Sequence, residues 1–212
     1  FLDLIIQDFP AAYVIPQGPA YQQSPHQVYK LVEFLLFNDV QVHQASQDFS
    51  FGGNDFPAGS YVVWMNQPKR GLANTILEAG PDLSNIPGLF FYSPPSVWSN
   101  PLLWGAARWV MEDDQKIEIQ TREINRADLP KGSAEGGQAQ AYAFLPTSVQ
   151  AFQSVNDLVE RGVPVSRAAA SFEDRGRLFE AGAFILPPDP SLANELANSW
   201  ALDVYTLSLI HI

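Results

Sequence analysis

Cysteine is absent from this chain of 212 residues. That absence removes disulfides, thiol catalysis and thiolate metal sites together, although it leaves the compartment open. Positive charge is scarce: 12 Lys and Arg stand against 23 Asp and Glu, a net charge of -11. Such a chain is repelled by phosphate backbones and by anionic lipid, so neither nucleic acid nor membrane is expected as a partner. No apolar run approaches the roughly 18 residues that a membrane helix requires.

Histidine is nearly missing too, with only His26, His43 and His211 in the chain. A zinc hydrolase needs imidazoles and a carboxylate closing on one ion, with a base nearby. Tyr29 stands at the third position after His26 and Ser46 at the third position after His43, so there is no His-x-x-Glu pair. His26 reads instead as a helix-start residue and His43 as a strand-surface residue. There is no Gly-x-Ser-x-Gly nucleophile turn. "FGGND" lacks the Lys-Ser/Thr sequel of a phosphate loop and reads as a tight turn.

What is present is a core and a repetition. Apolar residues make up 46% of the chain, which suits a folded protein. "FPAGSYVVW", Phe56 to Trp64, returns as "FEAGAFILP", Phe179 to Pro187. The flanks repeat as well. "AYVIP" (Ala12 to Pro16) and "AYAFLP" (Ala141 to Pro146) are β-prone runs stopped by proline. Each is followed by a helical stripe. The first, Val28, Leu31, Val32, Leu35 and Leu36, has Ser24 as cap, Pro25 at the first helical position and Asn38 as a left-handed stop. The second is Phe152, Val155, Leu158 and Val159, with Thr147 or Ser148 as cap and Gly162 as stop.

"VQVHQA" and "VPVSRA" then alternate as strands, and Pro57 and Gly59 fit a type I turn launching Tyr61 to Val63. Last come two further stripes sharing Leu-Ala-Asn. They are Leu72, Ala73, Ile76 and Leu77, closed by Gly80, and Leu192, Ala193, Leu196, Ala197 and Trp200.

The unit strand–helix–strand–hairpin–strand–helix is therefore expected twice. Continuous apolar strands alternating with helices predict an α/β class, flavodoxin-like, with two related β-α-β-β-α units and mostly parallel strands. The first unit is placed at 1–95 and the second at 141–206. A linker at 96–140 holds a helix near Pro101 with Leu102, Leu103, Ala106 and Val110 inward, an exposed strand in "KIEIQTREI", and a Gly-rich hinge. The tail 207–212, "LSLIHI", reads as artefactual and the chain as a fragment.

Aromatic residues crowd the twenty residues 90–109, where the first unit runs into the linker. Phe90, Phe91, Tyr92, Trp98, Trp104 and Trp109 supply contact area for a peptide or sugar, or cement for packing. Tyr92, Trp98, Trp104 and Trp109 are the candidates for binding or domain packing. The carboxylates of "MEDDQK" (111–116) and "FEDRG" (172–176) are the densest acidic groups, and read as solvated surface.

These segments also carry a resemblance. "AYVIP", "VYKLVEFLLFNDVQVHQA", "FPAGSYVVWMNQPKRGLANTILE" and "YSPPSVWSNPLLWGA" resemble the region downstream of the catalytic domain in large bacterial M14-type zinc carboxypeptidases. Asn100 departs from the usual Leu of that family's Trp-Ser-Leu-Pro stretch. The resemblance covers about 12–200 and rests on structural rather than catalytic motifs.

It implies a secreted or periplasmic parent, a missing N-terminal peptidase domain that holds the zinc, and no cofactor in this fragment. It also implies an accessory fold like the class I glutamine amidotransferases, without their nucleophile. Three functions compete: an accessory region of such a peptidase, a stand-alone peptide- or glycan-binding module using the aromatic linker, and an independent carboxylate hydrolase.

Overall fold

The computed structural model describes residues 9–18, 20–22, 24–79, 99–112 and 118–208. It divides into two compact units, Phe1–Asp128 and Leu129–Ile212. The linker expected at 96–140 is accordingly split between them, most of it belonging to the first unit.

The first unit begins with β1 (Ala12–Ile15), α1 (Pro25–Phe37) and β2 (Val42–Ala45). A hairpin of β3 (Phe49–Phe51) and β4 (Asn54–Phe56) leads into β5 (Tyr61–Trp64) and α2 (Arg70–Leu77). Then follow α3 (Asn100–Trp104), β6 (Trp109–Met111) and β7 (Thr121–Ile124). The sheet order is β6-β1-β5-β2-β7, and every pairing is antiparallel.

The second unit repeats this plan with β8 (Ala141–Phe144), α4 (Val149–Glu160), β9 (Ser166–Arg167), the hairpin β10 (Phe172–Asp174) and β11 (Arg177–Phe179), β12 (Phe184–Leu186), α5 (Pro190–Trp200) and β13 (Tyr205–Leu207). Its sheet order is β13-β8-β12-β9, again antiparallel throughout.

The expected parallel sheet, flavodoxin-like or class I glutamine-amidotransferase-like, is thus overturned. Each helix does join two strands of the same direction, but a third strand inserts between them: β5 lies between β1 and β2, and β12 between β8 and β9. That order is the split β-α-β arrangement of ferredoxin-like sandwiches, with the hairpin as an insertion.

The misreading has a physical cause. Continuous apolar strands signal burial on both faces, which is usual for parallel sheets. Here the second face is covered by the hairpin instead of by helices. Tyr13, Ile15, Tyr61 and Val63 face α1 and α2 in one core cluster. Ala12, Val14 and Val62 face Phe56 and Met111 in another. The second unit divides in the same way, with Tyr142, Phe144, Phe184 and Leu186 on the helix side and Ala141, Ala143 and Phe179 on the hairpin side.

Local chemistry explains the repeated turn. Ser60 N–H returns to the Pro57 carbonyl at 3.2 Å with Gly59 at φ 87. Glycine therefore occupies the third position of a type II turn, not the fourth of the expected type I turn. Ala183 N–H returns to Glu180 at 3.2 Å with Gly182 at φ 99, so the second unit builds the same turn.

Four helix expectations need correction. Asn38 has φ -94, and Asp39, at φ 60, is the left-handed residue. In α4 Leu158 is buried and Val155 packs partly against the core as expected, but Phe152 and Val159 are largely exposed, and Ala151 and Ser154 complete the buried face instead. Leu72 stands partly exposed on α2. Leu102 and Leu103 also point outward, leaving Ala106 buried behind α3, and Val110 lies not on that helix, which ends at Trp104, but on β6.

The expected hinge is no hinge at Gly132. A Cβ there would lie 2.4 Å from the Leu202 backbone, so glycine is needed for close approach. Leu207, assigned to the artefactual tail, is buried and pairs with Ala141 at the end of β13.

Candidate functional site

Tyr92 and Trp98, with Phe90 and Phe91, lie outside the described residues. The other two aromatic candidates do not share a cleft. Trp104 ends α3 and sets its ring edge-on to Phe34 at 5.4 Å, on the helix side of the first sheet. Trp109, on β6, meets Tyr21 at 5.5 Å and Phe56 at 5.7 Å, on the hairpin side. Both rings are half-buried parts of the first unit's own core.

The chemistry-bearing residues are likewise engaged in structure. His26 sits in the first turn of α1, and His43 on β2 lies 3.4 Å from Thr121 Oγ1 through its Nδ1. His211 lies outside the described residues, as do Asp113 and Asp114. Among the described residues no group of three or more His, Asp or Glu could hold a metal ion. Asp174 is buried, contrary to its expected solvated place. Its carboxylate accepts from Ser208 N–H and from Ser208 Oγ, both at 2.8 Å, pinning the hairpin to the end of β13.

A charged cleft in the second unit, about 480 Å³, is lined by Glu135, Arg175, Arg177, Tyr205 and Thr206, among others. Glu135 accepts from Thr206 N–H at 3.0 Å and Oγ1 at 3.2 Å, and Arg177 approaches it to 3.8 Å. Arg177 also lies 3.9 Å from the centre of the Tyr205 ring. Arg175 donates to Thr206 Oγ1 at 2.8 Å and to the Gln138 carbonyl at 3.1 Å.

Burial pushes the Tyr205 hydroxyl above its ordinary value; Asp203 and Glu135 add to the rise and Arg177 opposes it. The phenol is therefore held protonated, unsuited to act as a base near neutrality. The cleft pairs its cations with its carboxylates and ties the hairpin to the sheet.

A second depression, about 580 Å³, runs beside β9 in the same unit and is lined by Arg167, Ala168, Phe172, Ile185 and Leu207, among others. The sequence carries a signal for these arginines. Laid against each other, the repeats put Arg167 where the first unit has Gln44, Arg175 where it has Gly52, and Arg177 where it has Asn54. The second repeat carries cations along its edge strand and hairpin where the first has uncharged residues.

Comparison with family models, with curated proteins and with solved structures finds no match for this chain.

Proposed function

We propose that the chain is a non-catalytic accessory region of a secreted zinc metallocarboxypeptidase, working beside a peptidase domain that supplies the zinc and removes C-terminal residues from peptides. The sequence resemblance suggests the parent. One structural observation supports the passive role: Glu135 and Asp174, the carboxylates nearest the charged cleft, are spent on Thr206 and Ser208. The alternative of peptide or glycan capture by the aromatic linker gains no support from Trp104 and Trp109, whose rings belong to opposite sides of one sheet.

Two measurements test this reading. The purified chain, incubated with zinc and peptide substrates, is expected to release no C-terminal amino acids; release would overturn the passive role. The upstream coding sequence is expected to contain a His-x-x-Glu pair and a later His. Upstream sequence without them would sever the link to the carboxypeptidases while leaving the passive role intact.

A further inference from the structure

The first unit covers the outer edge of β2 with a strand, whereas among the described residues no strand pairs with the equivalent edge of β9. β7 pairs with β2 in the register Val42 to Ile124, His43 to Glu123, Gln44 to Arg122 and Ala45 to Thr121. Ser166 and Arg167, by contrast, pair among the described residues only inward, with Ile185 and Phe184, and both are exposed. Unpaired edge groups of this kind accept an extended segment through main-chain hydrogen bonds, with side-chain pockets adding specificity.

The first unit also shows what such a strand must carry. Gln44 has three partners, two of which define its jobs at this edge. Its Nε2 donates to the Gly59 carbonyl at 3.3 Å and also to the Asp128 carboxylate, and its Oε1 accepts from Arg122 of β7 at 2.7 Å. Arg167 performs the first job in the second unit, donating from Nε to the Gly182 carbonyl at 3.3 Å while its guanidinium lies 5.7 Å from the Phe184 ring centre. It cannot perform the second, because a guanidinium has no acceptor. An incoming arginine would be repelled and an incoming carboxylate attracted.

Two further positions are specified. Ile124 packs against the helix-side core, and its counterpart would lie against Val165, which packs against the second unit's helix-side core. The intervening position would face the depression of about 580 Å³ beside β9, lined by Glu173 and Asp174 and also by Arg167, which donates to Gly182, and Arg175, which donates to Thr206 and Gln138.

We infer that β9 is a docking edge for an extended segment of another polypeptide. The segment adds antiparallel, with an acid opposite Arg167, an uncharged or basic residue opposite Ser166 and an apolar residue opposite Val165. A two-residue edge strand bearing an arginine resists indiscriminate pairing. The same arginine gives this edge its selectivity for a carboxylate. The inference does not depend on a carboxypeptidase parent.

The test uses the whole chain and two labelled peptides of identical composition. One copies residues 118–127; the other carries Arg122→Glu and Glu123→Arg, so that the two charges are exchanged. The exchanged peptide is expected to bind about fivefold or more tightly than the direct copy, with amide shifts confined to residues 165–168 and their neighbours on β12. Arg167→Gln keeps the donor to Gly182 and recreates the Gln44 arrangement, so it should erase or reverse that preference. Equal binding, binding of neither peptide, shifts elsewhere, or a chain that pairs β9 with β9 of a second copy in sedimentation would each overturn the proposal.

Discussion

The turn before β5 and the turn before β12 are the same object built twice, whereas the outer edges of β2 and β9 are not. Gly59 and Gly182 both take positive φ, and their N–H groups reach the Ala45 and Ala168 carbonyls at 2.9 and 2.8 Å. Phe56 and Phe179 close their hairpins against Phe49 and Phe172, with ring centres 5.2 and 4.9 Å apart. What holds each hairpin over its sheet is thus kept in both units. What lies at the edge is free to differ, because an edge side chain is not locked by neighbours on every side. The first unit uses that freedom to add β7; the second carries Arg167, Arg175 and Arg177.

The likeness is most directly broken at the two phenylalanines, each about 1% exposed. Phe56→Ala and Phe179→Ala should each cost about 3–5 kcal/mol, read by amide exchange within the altered unit. Comparable losses would show that the hairpin is an integral layer of each sandwich. A loss below about 1 kcal/mol, the scale of an ordinary surface or mild substitution, would show that one hairpin merely rests on its sheet.

A smaller effect should separate the caps of α1 and α4. Ser148 Oγ accepts from Ala151 N–H at 3.2 Å, so Ser148→Ala should cost about 1 kcal/mol. Ser24 makes no side-chain cap bond, and its buried Oγ has no partner among the described residues. Ser24→Ala should therefore be neutral or mildly stabilising. Urea unfolding of the two variants measures the difference, and equal losses would remove the distinction.

The smallest contrast concerns alkali. Burial raises Tyr13 and Tyr61 in the first unit above the ordinary 10.0, with Arg108 opposing the rise at Tyr13 and the Asp128 N–H bond opposing it at Tyr61. In the second unit the corresponding rise is at Tyr205. A tyrosine whose folded pKa lies above its unfolded value keeps its proton longer in the fold. Its stability contribution is intact below about pH 10 and falls as pH climbs through the folded value. Amide exchange followed upward from there should show the first unit opening before the second. The opposite order would mean that Tyr205 dominates.

The local signals were clear where one residue type answers one backbone demand. Pro16 and Pro146 stop β1 and β8, Pro25 starts α1, and Val28, Leu31, Val32 and Leu35 form the buried stripe of α1. Ser148 caps α4. Signals shared by several structures misled. Phe152 and Val159 fit a helical stripe by hydrophobicity, but the face that packs is set by Ala151, Ser154 and Leu158, small enough in part to let α4 approach the sheet. The aromatic linker looked like one patch because its residues are close in sequence. Trp104 and Trp109 go to opposite faces because Trp104 ends α3, which lies on the helix side of the sheet, whereas Trp109 opens β6 within the sheet and packs on its hairpin side.

By itself the sequence determined most of the elements, their order and the repetition, since turns, caps and periodicity act over a few residues at a time; β6 was missed, because Val110 fits a helical stripe as well as a strand. Only tertiary structure decided which strands became neighbours. An apolar strand records that both its faces are covered, not what covers them, so β5 could insert antiparallel between β1 and β2 without leaving a local sign. It also decided the fate of the edges: whether Gln44 or Arg167 meets a strand or open space depends on where distant β7 is laid down.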